Sequence, residues 1–182
     1  MEARIESVNV GTPRTTDWHG REVTSAIWKA PVAGRIGVRG VNLEGDDQAD
    51  RRVHGGDGKA VYAYASEDYV WWAGVLGRAE ALAPATFGEN LTTAGLALEA
   101  CRVGEQWRVG DAVLEVVQPR FPCFKLGMRM GDAAFKERFE AAGRPGVYLR
   151  IVTPGTIGAG DRIAVTPTPF PAAPTIADLF AR

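Results

Sequence analysis

Histidine and cysteine are scarce in this chain, with two of each in 182 residues. Two histidines exclude a His-rich metal site. Cys101 and Cys123 form neither a disulfide framework nor a zinc-ligand spacing. Charge of one sign is also lacking: 21 Lys and Arg face 22 Asp and Glu, a net −1. No global field therefore favours nucleic acid or an acidic membrane, and any anion site must be local. No apolar run approaches the ~20 residues of a bilayer span. The N-terminal Met-Glu-Ala-Arg-Ile-Glu is charged and has no apolar signal core, so a cytoplasmic location is expected. Nucleotide signatures are missing. Around Gly58-Lys59, Val53 stands where a phosphate-binding loop needs its first glycine, and Ala60 where Ser or Thr should bind magnesium. There is no dinucleotide fingerprint and no Gly-x-Ser-x-Gly elbow.

What is present suits one domain of 182 residues, 46% hydrophobic and 24% charged. The 22 Gly and 11 Pro are spread along the chain, which favours turns and short strands over a helical bundle. Alternation predicts a first strand over 3–10. Residues 11–20 read as a polar loop, 22–29 as a second strand and 35–41 as a third. Residues 43–59 form a long polar loop of the kind that is functional or disordered. Residues 60–65 read as a strand. Ser66 is then placed as the cap of a helix with Glu67 and Asp68 in its first turn. Tyr69, Trp72, Val75 and Leu76 give that helix an apolar face. Phe87 to Leu91 looks like a short strand with Glu89 and Asn90 embedded. Residues 106–109 and 112–117 pair as a hairpin. Asp132 caps a helix to Ala142, with Gly143 at its stop and Lys136 facing Glu140. Strands follow over 146–152 and 161–165. Four prolines in residues 167–174 read as an extended linker. Thr175 then caps one or two turns of helix, expected to be either a docking tail or what remains where a helical appendage has been lost or never existed. Roughly nine short strands against two clear helices argue for a closed or nearly closed β architecture with peripheral helices.

The chemistry is organised around Gln118-Pro119-Arg120-Phe121-Pro122-Cys123-Phe124-Lys125-Leu126. Pro119 and Pro122 fix φ and donate no N–H, so the thiol sits on a stiff turn between two cations. A free thiol of pKa ~8.5 is only about 3% ionised at neutral pH, and a drop of ~1.5 units makes it half ionised. A thiolate serves a soft metal or a covalent step. The same stretch reads equally as a small buried hydrophobe beside a proline turn. Cys101 lacks flanking prolines and reads as packing. A second feature is His54-Gly55-Gly56-Asp57-Gly58-Lys59. Successive glycine N–H groups can hold an anion, with His54 and Lys59 adding charge. A tight glycine turn is the alternative. Glu89 and Asn90 are either hydrogen-bonded structure or ligand contacts.

Four motifs, in order, carry a resemblance: Leu43-Glu44-Gly45-Asp46-x-Gln48-x-Asp50, His54-Gly55-Gly56 with Ala60-Val61-x-x-Tyr64, Phe87-Gly88-Glu89-Asn90-Leu91, and the Gln118 to Leu126 stretch. Together they resemble the MOSC domain, named for the C-terminal part of molybdenum-cofactor sulfurases, and most of all its stand-alone bacterial YiiM-type subgroup. The resemblance runs over residues 4–166, with 167–182 a Pro-rich linker and short tail. It implies a mainly β fold with a barrel related to the pyruvate kinase barrel domain, and peripheral helices. It implies a molybdopterin-type molybdenum cofactor whose metal takes Cys123 as ligand. Arg52, His54, Gly55, Gly56, Lys59, Glu89, Asn90, Arg120 and Lys125 are the cofactor-binding candidates. His54, Asp46 and Asp50 are candidates for delivering protons beside Cys123. The implied activity is reduction of N-hydroxylated compounds, such as N-hydroxylated purine bases, with an unidentified electron-donor protein. Pyridoxal phosphate binding and N-hydroxylaminopurine detoxification are further family associations. A carrier of cofactor or of persulfide sulfur on Cys123 is the rival function, and a decayed scaffold that binds nothing is a third. YiiM-type proteins carry a three-helix segment that only Thr175 to Arg182 can begin here. Substrate, redox partner and oligomeric state are not encoded legibly.

Overall fold

Residues 61–65 show why this chain forms a two-faced sheet. In Val61-Tyr62-Ala63-Tyr64-Ala65 all five side chains are buried. Val61, Ala63 and Ala65 enter an aliphatic core, while Tyr62 and Tyr64 enter an aromatic one. Alternation of period two sends neighbours to opposite faces, and both faces of this strand are covered. The computed structural model describes residues 2–47 and 56–181.

Thirteen strands form among the described residues: β1 (Arg4–Val10), β2 (Arg14–Trp18), β3 (Arg21–Ser25), β4 (Ala30–Pro31), β5 (Arg35–Arg39), β6 (Asn42–Leu43), β7 (Val61–Ala65), β8 (Leu91–Ala94), β9 (Gln106–Val109), β10 (Ala112–Pro119), β11 (Val147–Thr153), β12 (Gly155–Gly158) and β13 (Ile163–Thr166). The helices are α1 (Ser66–Val75), α2 (Phe124–Met130), α3 (Phe135–Ala142) and α4 (Ile176–Phe180). The main sheet has eight strands in the order β13-β9-β10-β11-β7-β8-β1-β4. Its β7–β8 pair is parallel and needs a crossover, which α1 supplies. A three-stranded sheet, β12-β5-β6, and the β2–β3 hairpin stand beside it.

Among the described residues, paired strands do not by themselves complete the expected barrel. One isolated bridge, Arg4 to Arg162, brings the start of β1 to the start of β13. Around it Ile5 N–H donates to Asp161 O at 2.8 Å and Ile163 N–H to Ala3 O at 2.8 Å. The architecture is a large mixed sheet, mainly β in content, with peripheral helices. Among the described residues no helix is long and apolar enough to cross a membrane.

Ile5, Leu91, Trp107, Leu114 and Leu149 fill the aliphatic core, each fully buried. Tyr64, Trp72, Phe87, Phe135 and Phe139 fill the aromatic one. Burying such a side chain contributes about 1.5–3 kcal/mol. The aromatic core locks α1 and α3 onto the sheet face, since Trp72 lies 5.0 Å from Phe135 and 6.1 Å from Phe139 between ring centroids.

Several elements depart from the sequence expectation. Residues 11–20 are not a loop: they supply β2, which pairs with β3 from Arg14↔Ser25 to Trp18↔Arg21. The hairpin is mostly exposed on both faces, so no hydrophobic alternation marks it. Residues 87–91 are not a strand; Ala85 (φ 66°) and Gly88 (φ 77°) turn the chain, and β8 starts at Leu91. Ser66 is the first helical residue of α1 rather than its cap. Asp132 lies before α3 and accepts Ala134 N–H at 2.9 Å. Val75 is 46% exposed, outside the apolar face it was placed on. The end of the 167–174 segment is anchored: Arg102 Nη1 donates to Ala173 O at 2.6 Å and Val103 N–H to Pro174 O at 3.1 Å. Thr175 does cap α4, in a reciprocal capping box with Asp178.

Candidate functional site

β10 delivers the chemistry. It ends at Pro119, and Pro122 three residues later keeps the chain off the ladder. Cys123 then stands at the N-terminal boundary of α2 in extended geometry, half-buried, and its carbonyl accepts Leu126 N–H at 2.9 Å. It lines a pocket of about 720 Å³, counting the open mouth. Arg120, Phe121 and Lys125 join it from the same stretch. Tyr62 and Tyr148 come from adjacent strands in register, with ring centroids 5.1 Å apart. Ser25, Ala26, Ile27 and Lys29 form another wall, and Asp46, Asp47, Lys59, Gly88 and Asn90 complete it. Gly88 is required here: a Cβ would lie 2.6 Å from Ile27 Cγ1 and 3.1 Å from its carbonyl oxygen.

The pocket is cationic at its base. Arg120 is buried, with its guanidinium carbon 4.9 Å above the Tyr62 ring and 5.8 Å from Phe139. Its Nη1 donates to the Phe87 carbonyl. Among the described residues no carboxylate pairs with it. A guanidinium stays charged and cannot escape its burial by losing a proton. Lys59 and Lys125 also line the pocket. Lys29 is a fourth cation, which sequence reasoning missed. Burial pulls its pKa down against the attraction of Asp46, with which it forms an ion pair.

Asp46, a candidate proton donor, is fully engaged. Its Oδ1 accepts Gly11 N–H at 2.8 Å and the Lys29 ammonium; its Oδ2 accepts Asn90 Nδ2 at 2.9 Å. It positions Lys29 rather than presenting a free acid. Asn90 is likewise committed, with Oδ1 accepting Tyr62 N–H at 3.1 Å and Nδ2 donating to Asn9 O at 3.3 Å. Glu89 does not reach the pocket. It is fully buried, and its Oε1 accepts from Tyr69 Oη, from Ala85 N–H at 2.7 Å and from Thr92 Oγ1 at 2.8 Å. Burial raises its pKa, and its Oε2 has no hydrogen-bond partner among the described residues.

Gly56 opens the Asp57–Lys59 turn with φ 94°, a region that favours glycine. Gln118 Nε2 donates to Gly58 O at 3.3 Å, tying this turn to the end of β10. Asp50, Arg52, His54 and Gly55 lie outside the described residues. Cys101 is 6% exposed and packs in the aliphatic core. Burial and neighbouring Glu105 push its thiol up to about 12. The two thiols are therefore separated into a core residue and a pocket residue. Lys29 was not legible because its place in the site comes from its ion pair with Asp46, which lies in a distant part of the sequence. Tyr62 was legible only as a strand residue.

Among the described residues no three His, Cys, Asp or Glu side chains gather as a metal site. A single soft thiol sharing a pocket with Arg120, Lys59 and Lys125, and with Asp46 and Asp47 in its wall, suits a metal that brings most of its own ligands on an anionic carrier. The MOSC domain pattern matches residues 50–164, and the chain belongs to the MOSC domain family. It is 38% identical over 156 residues to the uncharacterised protein YflK of Bacillus subtilis, covering 86% of this chain and 70% of YflK. It is 36% identical over 136 residues to YiiM of Escherichia coli, covering 74% of this chain and 61% of YiiM. A protein of Gibberella moniliformis named "Reductase" is 34% identical over 154 residues, 84% of this chain but 27% of that protein. The crystal structure of YiiM from Geobacillus stearothermophilus superposes with a TM-score of 0.77 at 30% identity, covering 98% of this chain and 82% of that one.

Proposed function

We propose that this chain is a molybdenum-cofactor oxidoreductase that removes oxygen from the N–O bond of N-hydroxylated compounds. The observation that carries the reading is one pocket holding a half-buried thiol, Cys123, and a buried guanidinium, Arg120, without a described carboxylate partner. Family membership supports the cofactor, and the relative named as a reductase supports the reaction class.

Cys123 supplies the soft protein ligand. Arg120, Lys59 and Lys125 are the candidates to neutralise the phosphate of a molybdopterin. When bound, the cofactor supplies two-electron reduction of the N–O bond. The balance is R–NHOH plus two electrons and two protons, giving R–NH2 and water. A donor protein provides the electrons. Lys29 Nζ is the proton source that the geometry favours, because burial makes an ammonium more acidic and Asp46 fixes it at the pocket wall. The phenols of Tyr62 and Tyr148 remain protonated, since burial raises both. Pyridoxal phosphate is not part of this reading, because Lys29 is held in its ion pair with Asp46.

Turnover tests the reading. Protein from a cofactor-producing host is mixed with an artificial electron donor and 6-hydroxylaminopurine. Formation of the amine supports an oxidoreductase. Stoichiometric molybdenum with no turnover on any N-hydroxylated compound would make the chain a cofactor carrier instead.

A further inference from the structure

We propose that the C-terminal helix α4 belongs to the substrate site: Phe180 holds Phe121 as an aromatic wall of the Cys123 pocket, on which a planar heteroaromatic substrate stacks. This deepens the N–O reductase reading and rests on it. Phe121 lies two residues before Cys123 and lines the same pocket. It is 59% exposed, so much of its surface is available to a ligand. The ring of Phe180 packs against it, stacked at 5.6 Å between centroids and 29° between planes.

Phe180 is held there by construction. Ile176 and Phe180 are four residues apart and share one face of α4. Ile176 is fully buried in the aliphatic core, and its N–H donates to Cys101 O at 2.9 Å. A bridge between Arg102 and Thr175 and the Thr175–Asp178 capping box fix the start of the helix. The face that anchors Ile176 therefore carries Phe180 onto Phe121. Tyr62 and Tyr148 add two more rings to the pocket. Aromatic surface of this kind rewards a flat conjugated base and gives an aliphatic N-hydroxy compound nothing to stack on. Phe180 touches Phe121 and does not line the pocket, so it is a positioning residue.

The test uses the full chain in two states. Cofactor-free protein is titrated with 2-aminopurine, whose fluorescence is quenched on stacking. Loaded protein is assayed with 6-hydroxylaminopurine and with acetohydroxamic acid. Phe121→Ala and Phe180→Ala are each expected to weaken 2-aminopurine binding about three- to tenfold. They should raise KM for the purine while kcat holds, and lower the purine-to-hydroxamate ratio of kcat/KM by the same factor. Phe180→Tyr should restore wild-type values, and Phe170→Ala, in the exposed 167–174 segment, should match wild type throughout. Unchanged purine binding in Phe180→Ala would overturn the proposal, as would an equal rise in KM for both substrates. If loaded wild type reduces neither compound, the reductase reading fails, and the 2-aminopurine titration still decides whether Phe180 shapes an aromatic wall.

Discussion

Cys101 and Cys123 are the same side chain in two physical settings. Cys101 sits among Leu98, Trp107 and Ile176 in a dry core, where desolvation suppresses its ionisation. Cys123 stands at a proline-stiffened exit from the sheet, half-buried, facing lysines and a buried arginine. Identity of the residue therefore decides little. The fold makes one thiol a hydrophobe and gives the other a reactive setting.

The sharpest way to break that contrast is to replace each sulfur. Cys123→Ser is nearly isosteric and should keep the fold. It should lower reductase activity by roughly a hundredfold or more, since losing even an outer partner of a metal ligand costs 10–100-fold. Cys101→Ser should stay within about twofold, being remote from the pocket. Comparable losses in steady-state assays of both variants would erase the distinction.

Charge around the pocket thiol comes next. Lys125→Ala and Lys59→Ala should each weaken cofactor retention about tenfold at low ionic strength, the value of one charge-assisted hydrogen bond. The loss should shrink as salt rises, because charges at an open mouth are screened. A salt-independent loss in equilibrium dialysis would point to a packing defect. Alkylation separates the thiols without any cofactor. Iodoacetamide should label Cys123 first, by peptide mass mapping. The Cys101 rate should keep climbing with pH towards about 12, the value to which burial pushes it. Faster labelling of Cys101 at pH 8 would reverse the assignment.

The smallest effect concerns a carboxylate that shares Cys101's dry setting. Burial raises the Glu89 pKa in the folded state. A raised folded pKa gives a stability contribution that is full below the unfolded pKa, ~4.3, and is lost as pH rises through the folded value. Melting temperature should therefore fall over that window in wild type and stay flatter in Glu89→Gln. An identical slope in both proteins would remove Glu89 from the account of stability.

Much of this was legible in the sequence where local pattern and tertiary environment agree. The Gly110-Asp111 hairpin, the Gly143 stop of α3 and the Lys136–Glu140 pair, at 2.9 Å, all follow from short-range rules. The proline-flanked thiol lines the pocket, but its local pattern reads equally as a buried residue beside a turn. Helix α2 did not announce itself, because Phe124 to Met130 is only seven residues and Gly127 interrupts it. Lys29 and Tyr148 gain their places through pairings across the fold, which no window of sequence contains. Glu89 and Asn90 were adjacent and indistinguishable by spacing. Only the turn at Ala85–Gly88 sends Glu89 into the interior and sets Asn90 beside Asp46.

The most direct test of the central assignment is molybdenum K-edge X-ray absorption on loaded wild type, Cys123→Ser and Cys101→Ser. A thiolate ligand at Cys123 requires the sulfur shell around the metal to lose one member in Cys123→Ser and to remain intact in Cys101→Ser. An identical sulfur shell in all three proteins would contradict it.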